Sequence, residues 1–186
     1  MIAASTVKLK DGTEVLIRPM VSDDLHRSHA FFCALPPEDR GCLRRDVTQL
    51  EVVKERMHEM EAGAVRRMVA VVGDEIVADG ALELSRSGWE QHVGELRIIV
   101  ARPYQRQGLG LIMASTLYDL AESDDLEELI VKVIDTQVAA RSIFRKLGFR
   151  EEAVLNNFVK AGGAKRNLVL MRCELENVRQ ELLPQT

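Results

Sequence analysis

The sequence predicts a mixed α/β fold, in which one central, mostly antiparallel sheet of about six or seven strands carries helices on both faces. Three observations support this prediction. Short apolar runs separated by Asp-Gly or Gly-Asp pairs are typical of hairpins, the second half alternates strands with helices, and each long helix has one apolar stripe. No Pro/Gly/Ser-rich linker divides the chain of 186 residues. Residues 1–186 are therefore expected to form a single domain, which can bury roughly 70% of the surface that the unfolded chain exposes.

The first half of the chain is predicted to contain two hairpins with two helices between them. Asp11-Gly12 and Gly73-Asp74 suit the positive φ of tight turns, and the second pair separates strands expected at 68–72 and 76–84. The first helix is expected to begin at Ser22, because a capping hydroxyl followed by acids stabilises a helix N-terminus. The second helix is indicated by apolar residues at helical spacing, which are Val47, Leu50, Val53, Met57 and Met60.

The second half is predicted to alternate strands and helices and then to end in two strands. The predicted strand at 96–100 is short and apolar enough to be central in the sheet, and the helix that follows it from Gly108 has a continuous apolar stripe. The predicted elements are a strand at 96–100, a helix from Gly108 to about Ser123, a strand at 129–134, a helix at 136–147, strands at 153–160 and 168–173, and a helical tail from Leu175.

Composition and charge exclude several classes of protein. The formal net charge of -4 argues against the basic surface of a nucleic-acid-binding protein. No uncharged apolar run approaches the ~18 residues of a membrane-spanning helix, and the N-terminus lacks the pattern of a secretory signal. The cysteines Cys33, Cys42 and Cys173 are odd in number and lack zinc-ligand spacing. We therefore expect no disulfide framework, no metal site, no membrane or nucleic-acid partner, and a cytoplasmic location.

The segment from Val100 to Gly110 carries the chemistry. A buried strand ends, a short polar turn follows, and Gly108 and Gly110 open an amphipathic helix. The unpaired N–H groups and the dipole at such a helix start favour a phosphate or pyrophosphate, with Arg102 and Arg106 adding positive charge. A glycine-rich helix start that is simply packed tightly on the sheet is the alternative interpretation. The segment does not match the dinucleotide-binding motif Gly-x-Gly-x-x-Gly, because Met113 occupies the position of the third glycine. It does not match the nucleotide-triphosphate loop either, because no Gly-Lys-Ser/Thr follows four variable residues.

Two motifs in this half of the chain resemble a known family. Gln105-x-x-Gly108-x-Gly110 after an apolar strand resembles the pyrophosphate loop of the GNAT superfamily of acyl-CoA-dependent N-acyltransferases. Residues 140–149, Ala-Arg-Ser-Ile-Phe-Arg-Lys-Leu-Gly-Phe, resemble that family's second signature, and the two motifs occur in the family's order. The resemblance covers roughly residues 67–173. More weakly, residues 11–19 resemble the start of GNAT domains in bacterial protein-lysine acetyltransferases.

The resemblance implies a GNAT-like fold and acetyl-CoA as cosubstrate. It implies that the backbone of Ile98, Ile99 and Val100 pairs with the pantetheine arm, as an added strand would. Gln137 stands where the family usually has Asn, and Phe144 stands where it often has the Tyr that protonates the departing thiolate. Gln105, the first residue of the loop motif, is implied to be a cofactor-binding residue. The residues whose backbone N–H groups are implied to hold the pyrophosphate are Arg106, Gln107, Gly108, Leu109, Gly110 and Leu111.

Acyl transfer to an amine requires the amine to be neutral, so a general base is expected in the site. Glu95, at the start of the strand before the loop, is the first candidate, because the family often has a glutamate here that acts through water. Pairing of Glu95 with Arg97 in solvent is the alternative interpretation, and His92 is a second candidate base. The backbone N–H of Ile99 or Val100 is expected to stabilise the oxygen of the thioester. The basic cluster Arg40, Arg44 and Arg45 is either a solvated face or a contact for an anionic acceptor.

The sequence therefore predicts an N-acetyltransferase that joins both substrates before direct attack on a primary amine, either of a small molecule or of a protein. The alternative is a domain that binds acyl-CoA as a sensor with little turnover, which Phe144 favours because phenylalanine cannot donate a proton. A nucleotide-binding α/β domain is disfavoured by the failed fingerprints. Pairing of exposed edge strands into a homodimer is left open by the sequence.

Overall fold

Eight strands form one mixed sheet in this computed structural model, which describes residues 3–85 and 88–175. The strand order is β1-β2-β3-β4-β5-β6-β8-β7, and every neighbouring pair is antiparallel except β5 and β6. The strands are β1 (Ser5–Lys8), β2 (Glu14–Pro19), β3 (Val65–Val72), β4 (Glu75–Leu84), β5 (Val93–Val100), β6 (Glu128–Ile134), β7 (Arg150–Ala161) and β8 (Ala164–Glu174).

The predicted mixed architecture is confirmed, with one difference in the strand count. The sheet has eight strands rather than six or seven, because the N-terminal hairpin is part of it: Ile17 of β2 pairs with Ala70 of β3. The last two strands are longer than expected and meet at a turn over residues 162–163. Most of β7 is exposed, so it lacks the apolar pattern from which a strand's ends are predicted. The predicted tail from Leu175 runs into residues 176–186, which lie outside the described residues.

Within residues 3–85 and 88–175, five α-helices cover the two faces of the sheet. Their bounds are α1 (Leu25–Ala34), α2 (Pro37–Arg40), α3 (Leu50–Glu61), α4 (Leu109–Ser123) and α5 (Val138–Lys146). Among the helices of residues 3–85 and 88–175, none combines the length and the apolar character needed to cross a bilayer.

Each face of the sheet has its own apolar core. On one face, α4 and α5 pack through buried residues such as Leu109, Met113 and Phe144 against the sheet. On the other face, α1 and α3 pack through Phe32 and Val53 against residues of β3 and β4. Successive residues of a strand point to opposite faces, so each central strand contributes to both cores.

The two central strands diverge halfway along their length. β5 pairs with β6 only from Val93 to Glu95, opposite residues 128–130. β5 nevertheless continues to pair with β4 as far as Val100. The second half of β5 therefore has a sheet neighbour on one side only within the described part of the chain, and a gap opens towards β6. The loop that begins α4 follows directly from this half of β5.

Candidate active site

A cleft of about 400 Å³ occupies the gap between β5 and β6. It extends through the sheet, because residues that point to opposite faces of β5 line it together. Its α4/α5 side is lined by Ile98, Val100, Ala140 and Phe144, whereas its α1/α3 side is lined by charged residues that include Arg44 and Arg97. A cavity with one apolar side and one charged side can hold two different ligands in contact with each other.

The start of α4 forms a cradle of backbone N–H groups. Gly108 at the helix N-cap has a φ of 97° and Arg106 a φ of 60°, so the chain turns sharply into the helix. Within residues 3–85 and 88–175, no acceptor pairs with the N–H groups of residues 106–110. The sixth expected group, the N–H of Leu111, donates to the carbonyl of Gly108 at 3.0 Å. Five amides without an acceptor at the positive end of a helix dipole can bind an anionic group such as a pyrophosphate.

The two glycines of the loop are required for different reasons. A Cβ at Gly108 would meet no atom within 4 Å, so its left-handed backbone is what requires glycine there. A Cβ at Gly110 would lie 2.9 Å from Cδ1 of Ile143, so this glycine lets α5 approach α4 closely. Gly110 therefore matches the interpretation of a helix start packed tightly against its neighbours, whereas Gly108 leaves open space beside the loop.

Arg102 and Arg106, the two arginines of the loop, differ in whether their surroundings already use them. The Arg102 guanidinium lies 3.0 Å from Asp39 and 3.3 Å from Glu38 on α2, so it holds α2 against the loop. Its hydrogen bond with Asp39 raises the pKa of Arg102 above the usual range. Arg106 lies in the cradle itself, where its left-handed backbone forms part of the turn.

The second half of β5 presents backbone groups to the gap. The N–H of Ala101 donates to the carbonyl of Val77 at 2.9 Å, so the alternation of an antiparallel ladder directs Ile99 towards β4 as well. Ile98 and Val100 consequently direct their N–H and C=O groups to the cleft. Of the two expected donors to a thioester oxygen, Val100 has the N–H on the cleft side. The carbonyl of Val100 accepts a hydrogen bond from Nε2 of Gln105 at 2.8 Å, which ties the loop to the strand.

Gln137 and Phe144 both line the cleft on its α4/α5 side. The N–H of Ile134 donates to Oε1 of Gln137 at 2.9 Å, so the Gln137 NH₂ group is the part that can donate to a ligand. Phe144 is buried and packs edge-to-face on Phe149, with ring centroids 5.3 Å apart. The position therefore supplies an apolar surface to the cleft and no proton.

Glu95 lies just behind the cleft wall, at the point where β5 and β6 separate. Its side chain is 13% exposed, and its carboxylate binds Nζ of Lys132 at 2.8 Å and the guanidinium of Arg44. Burial would raise the pKa of Glu95, but the hydrogen bond and charge of Lys132 and the charge of Arg44 outweigh it and hold the pKa below its ordinary value. Glu95 is thus a carboxylate that stays ionised, with cations between it and the cavity. The side chain of His92 is not among the residues that line the cleft within the described chain.

The basic cluster predicted at residues 40–45 divides between two roles. Arg44 and Arg45 line the cleft, but Arg40 donates to the carbonyls of Cys33 and Leu35, both at 2.9 Å, and holds the end of α1. Arg45 is neutralised by Glu59 of α3 at 2.8 Å. Arg44 is thus the member of the trio that reaches the strands of the cleft.

Several charged residues of the cleft were missed by the sequence analysis. Asp79 of β4, 6% exposed, lies 2.8 Å from Arg56 of α3 and 3.3 Å from Arg67 of β3. The available signal was a charge inside an apolar strand run, which is costly to bury unless it is paired. We call the following set the charged face of the cleft: Arg44, Arg56, Arg67, Asp79, Glu83, Glu95, Arg97 and Lys132.

Comparisons with known proteins agree with this architecture. Residues 26–149 match the sequence profile of the acetyltransferase (GNAT) family. Three solved structures share the fold at low identity. They are ribosomal-protein-alanine N-acetyltransferase from Brucella melitensis (TM-score 0.75, 20% identity, 85% of this chain and 98% of that one), the GNAT domain of S. lividans PAT (0.75, 16%, 92% and 96%) and Mycobacterium smegmatis RimJ in complex with CoA-disulfide (0.73, 18%, 98% and 90%).

Proposed function

The chain belongs to the GNAT family of acetyltransferases, and on that premise we propose that it transfers an acetyl group from acetyl-CoA to a primary amine by direct attack in a ternary complex. The observation that supports this best is the continuity of three features. A cradle of five amides, a strand with free backbone groups and a cleft through the sheet follow one another along residues 98–110.

These features fit the chemical parts of acetyl-CoA in order. The amides of residues 106–110 suit the pyrophosphate, because each N–H can donate to a phosphate oxygen without a competing partner. The N–H and C=O of Ile98 and the C=O of Val100 suit the amides of the pantetheine arm, which leaves the N–H of Val100 for the thioester. The apolar surface of Phe144 and Ala140 suits the methylene groups between those amides.

The chain's own groups then have separate roles in the transfer. The amine nitrogen bonds to the thioester carbon, the carbon–sulfur bond breaks, and the sulfur leaves with the electron pair. The N–H of Val100 donates to the carbonyl oxygen as negative charge develops on it. Glu95 accepts the proton of the amine through water, since its carboxylate is ionised but lies behind Arg44 and Lys132.

The side chain at position 144, a phenylalanine, has no proton to donate to the departing sulfur. A thiol with a pKa of ~8.5 leaves as a thiolate tolerably well, so the missing hydroxyl slows the reaction without preventing it. The same residue supports the second candidate, a domain that binds acyl-CoA with little turnover. The two candidates differ only in whether an amine acceptor is consumed.

Two measurements test the proposal in sequence. The melting temperature of the protein is measured with acetyl-CoA, ATP or NAD, and only acetyl-CoA is expected to raise it. A ligand at one hundred times its dissociation constant raises the free energy of unfolding by about 2.7 kcal/mol. Release of free thiol from acetyl-CoA is then followed with a panel of amines. Stabilisation without thiol release across the panel would support the sensor, and no stabilisation by acetyl-CoA would overturn both candidates.

A further inference from the structure

The charged face of the cleft has a composition that points to the acceptor. We propose that the acceptor is a small amine that carries an anionic group, a carboxylate or a phosphate, and that Arg97 and Arg67 bind this group. The inference rests on the proposed function, because it names the substrate class of the same cleft.

The first argument is the local balance of charge. The charged face contains five cations and three carboxylates, whereas the whole chain has a formal net charge of -4. Asp79 pairs with both Arg56 and Arg67, whereas Glu83 and Glu95 are shared among Arg44, Arg97 and Lys132. Arg67 and Arg56 are largely buried and the other three cations are partly exposed. An excess of partly buried positive charge favours binding of a compensating anion.

The second argument is a set of buried polar atoms without partners. Arg67 has a side chain that is 3% exposed, it lines the cleft, and its Nε makes no hydrogen bond within the described chain. Nε of Arg97, also in the cleft wall, is likewise buried and makes no hydrogen bond among the described residues, and Oε1 of Glu95 lies 3.9 Å from it. Oδ2 of Asp79, an acceptor in the same wall, is also buried without a hydrogen bond among the described residues. Most buried donors in folded proteins are paired, so two guanidinium N–H groups without an acceptor in one cleft indicate a ligand that accepts hydrogen bonds. Carboxylates and phosphates are the acceptors that guanidinium groups bind best.

The position of these arginines separates them from the phosphates of the cosubstrate. Arg97 alternates along β5 with Ile98, so its side chain points to the α1/α3 face, whereas the cradle begins α4 on the other face. Arg67 is on that same α1/α3 face, where it meets Asp79 and the helix α3 residue Arg56. An anion held there lies across the gap from the thioester, as an acceptor must.

The size of the cleft favours a small acceptor over a protein. Its volume of about 400 Å³ must also accommodate the end of the pantetheine arm. The chain between α2 and α3 crosses the charged face and is fastened there, because Arg44 pairs with Glu95 of β5 and lies 4.0 Å from Glu83 of β4. A molecule of a few heavy atoms can enter such a space, whereas an extended peptide would have to displace that fastening.

Matched pairs of amines test the proposal in the wild-type protein. The pairs are glycine against glycinamide, β-alanine against propylamine, and phosphoethanolamine against ethanolamine, with a neutral lysine peptide as the protein-like acceptor. We expect kcat/KM for the anionic member of at least one pair to exceed that of its partner about tenfold or more. The first two pairs identify a carboxylate and the third a phosphate. An amide lowers the pKa of the neighbouring amine, so faster reaction of glycine than of glycinamide would not come from a larger neutral fraction.

Variants connect the preference to the arginines. Arg97→Gln is expected to remove the preference for the anionic amine, mainly through KM, and Arg97→Lys to restore part of it because the charge returns without the planar fork. Arg67→Lys tests the second proposed anion-binding residue. It keeps the buried positive charge but removes the planar guanidinium, so it is expected to weaken the preference for the anionic amine. Arg66→Gln is the matched control, because Arg66 is the next residue of β3 and pairs with Asp124 on the opposite face. Melting temperature with acetyl-CoA is measured for each variant and is expected to rise as in the wild type.

Three results would overturn the inference while leaving the proposed function intact. They are equal or better turnover of the neutral amines, a clear preference for the lysine peptide, and acetyl-CoA binding with neither turnover nor stabilisation by any small anionic amine. Retention of the anionic preference in Arg97→Gln and Arg67→Lys would overturn the assignment of the residues. A protein that acetyl-CoA does not stabilise would instead contradict the proposed function itself.

Discussion

The two sides of the cleft are built from different materials. The α4/α5 side consists of backbone N–H and C=O groups, which come from the continuous segment 98–110, and of apolar side chains, which include Ala140 and Phe144 of α5. The charged face consists of side chains from β3, β4, β5, β6, α3 and the chain between α2 and α3. The α4/α5 side binds groups that complement a fixed backbone. The ligand preference of the charged face can change with single side-chain substitutions. A common cosubstrate and a variable acceptor suit that division.

The largest effect is expected from Glu95→Gln, which tests whether the chemistry belongs to the charged face. Turnover should fall about a hundredfold, since a base is lost, whereas stabilisation by acetyl-CoA should be unchanged. Thiol release at saturating substrates and melting temperature with acetyl-CoA provide the two readouts. Glu128→Gln is the control, because Glu128 is a β6 carboxylate that pairs with Arg172 and does not line the cleft. Equal loss in both variants, or none in either, would remove Glu95 from the mechanism.

The low pKa of the Glu95 carboxylate predicts that the acceptor amine, and not Glu95, sets the pH dependence of the wild type near neutrality. Because Lys132 and Arg44 outweigh the effect of burial and lower the pKa of Glu95, it becomes protonated only when the pH falls through a value below its ordinary one. Glu95 is therefore ionised throughout the neutral range. The rise of kcat/KM with pH should come from deprotonation of the acceptor amine and should keep its midpoint in Glu95→Gln. A midpoint near neutrality that is lost in the variant would show a base with a raised pKa.

The contrast between the sides also explains what the sequence could predict. A helix start with left-handed Gly108 and the strand before it are adjacent in the chain, so the cradle and the strand could be predicted from spacing. The charged face depends on strand register: Asp79 meets Arg67 because β3 and β4 pair with Val69 opposite Asp79. The register between strands depends on packing and turn geometry, so it is difficult to predict from a single sequence. The Arg44–Glu95 pair, between residues 51 positions apart, had no local signal either.

The next effect in size belongs to the cradle and tests the α4/α5 side alone. Gly108→Val places a branched side chain at a φ of 97° and in the open space above the amides. Affinity for acetyl-CoA should fall about tenfold to a hundredfold, as measured by calorimetry, because a left-handed branched residue costs about 1–3 kcal/mol and the cradle distorts. The acceptor preference at saturating acetyl-CoA should be unchanged.

Gly163→Val separates strain from ligand binding in that experiment. Gly163 has a φ of 78° in the turn between β7 and β8, so the substitution introduces similar backbone strain away from the cleft. Its melting temperature without ligand should fall, but its affinity for acetyl-CoA should match the wild type. If both glycine variants lost affinity to the same extent, general destabilisation would account for the result and the cradle would not.

The smallest effect is expected from Phe144→Tyr, which asks whether the α4/α5 side can contribute to the chemistry as well as to binding. A phenol at this buried position would supply a proton for the departing sulfur, so thiol release should rise severalfold at unchanged acetyl-CoA affinity. The gain is small because the thiolate is already a tolerable leaving group. Phe158→Tyr, on the exposed part of β7, controls for adding a hydroxyl elsewhere and should change nothing. A Phe144→Tyr protein with acetyl-CoA affinity and turnover both like the wild type would confine the chemistry to the charged face and leave the α4/α5 side as a binding surface.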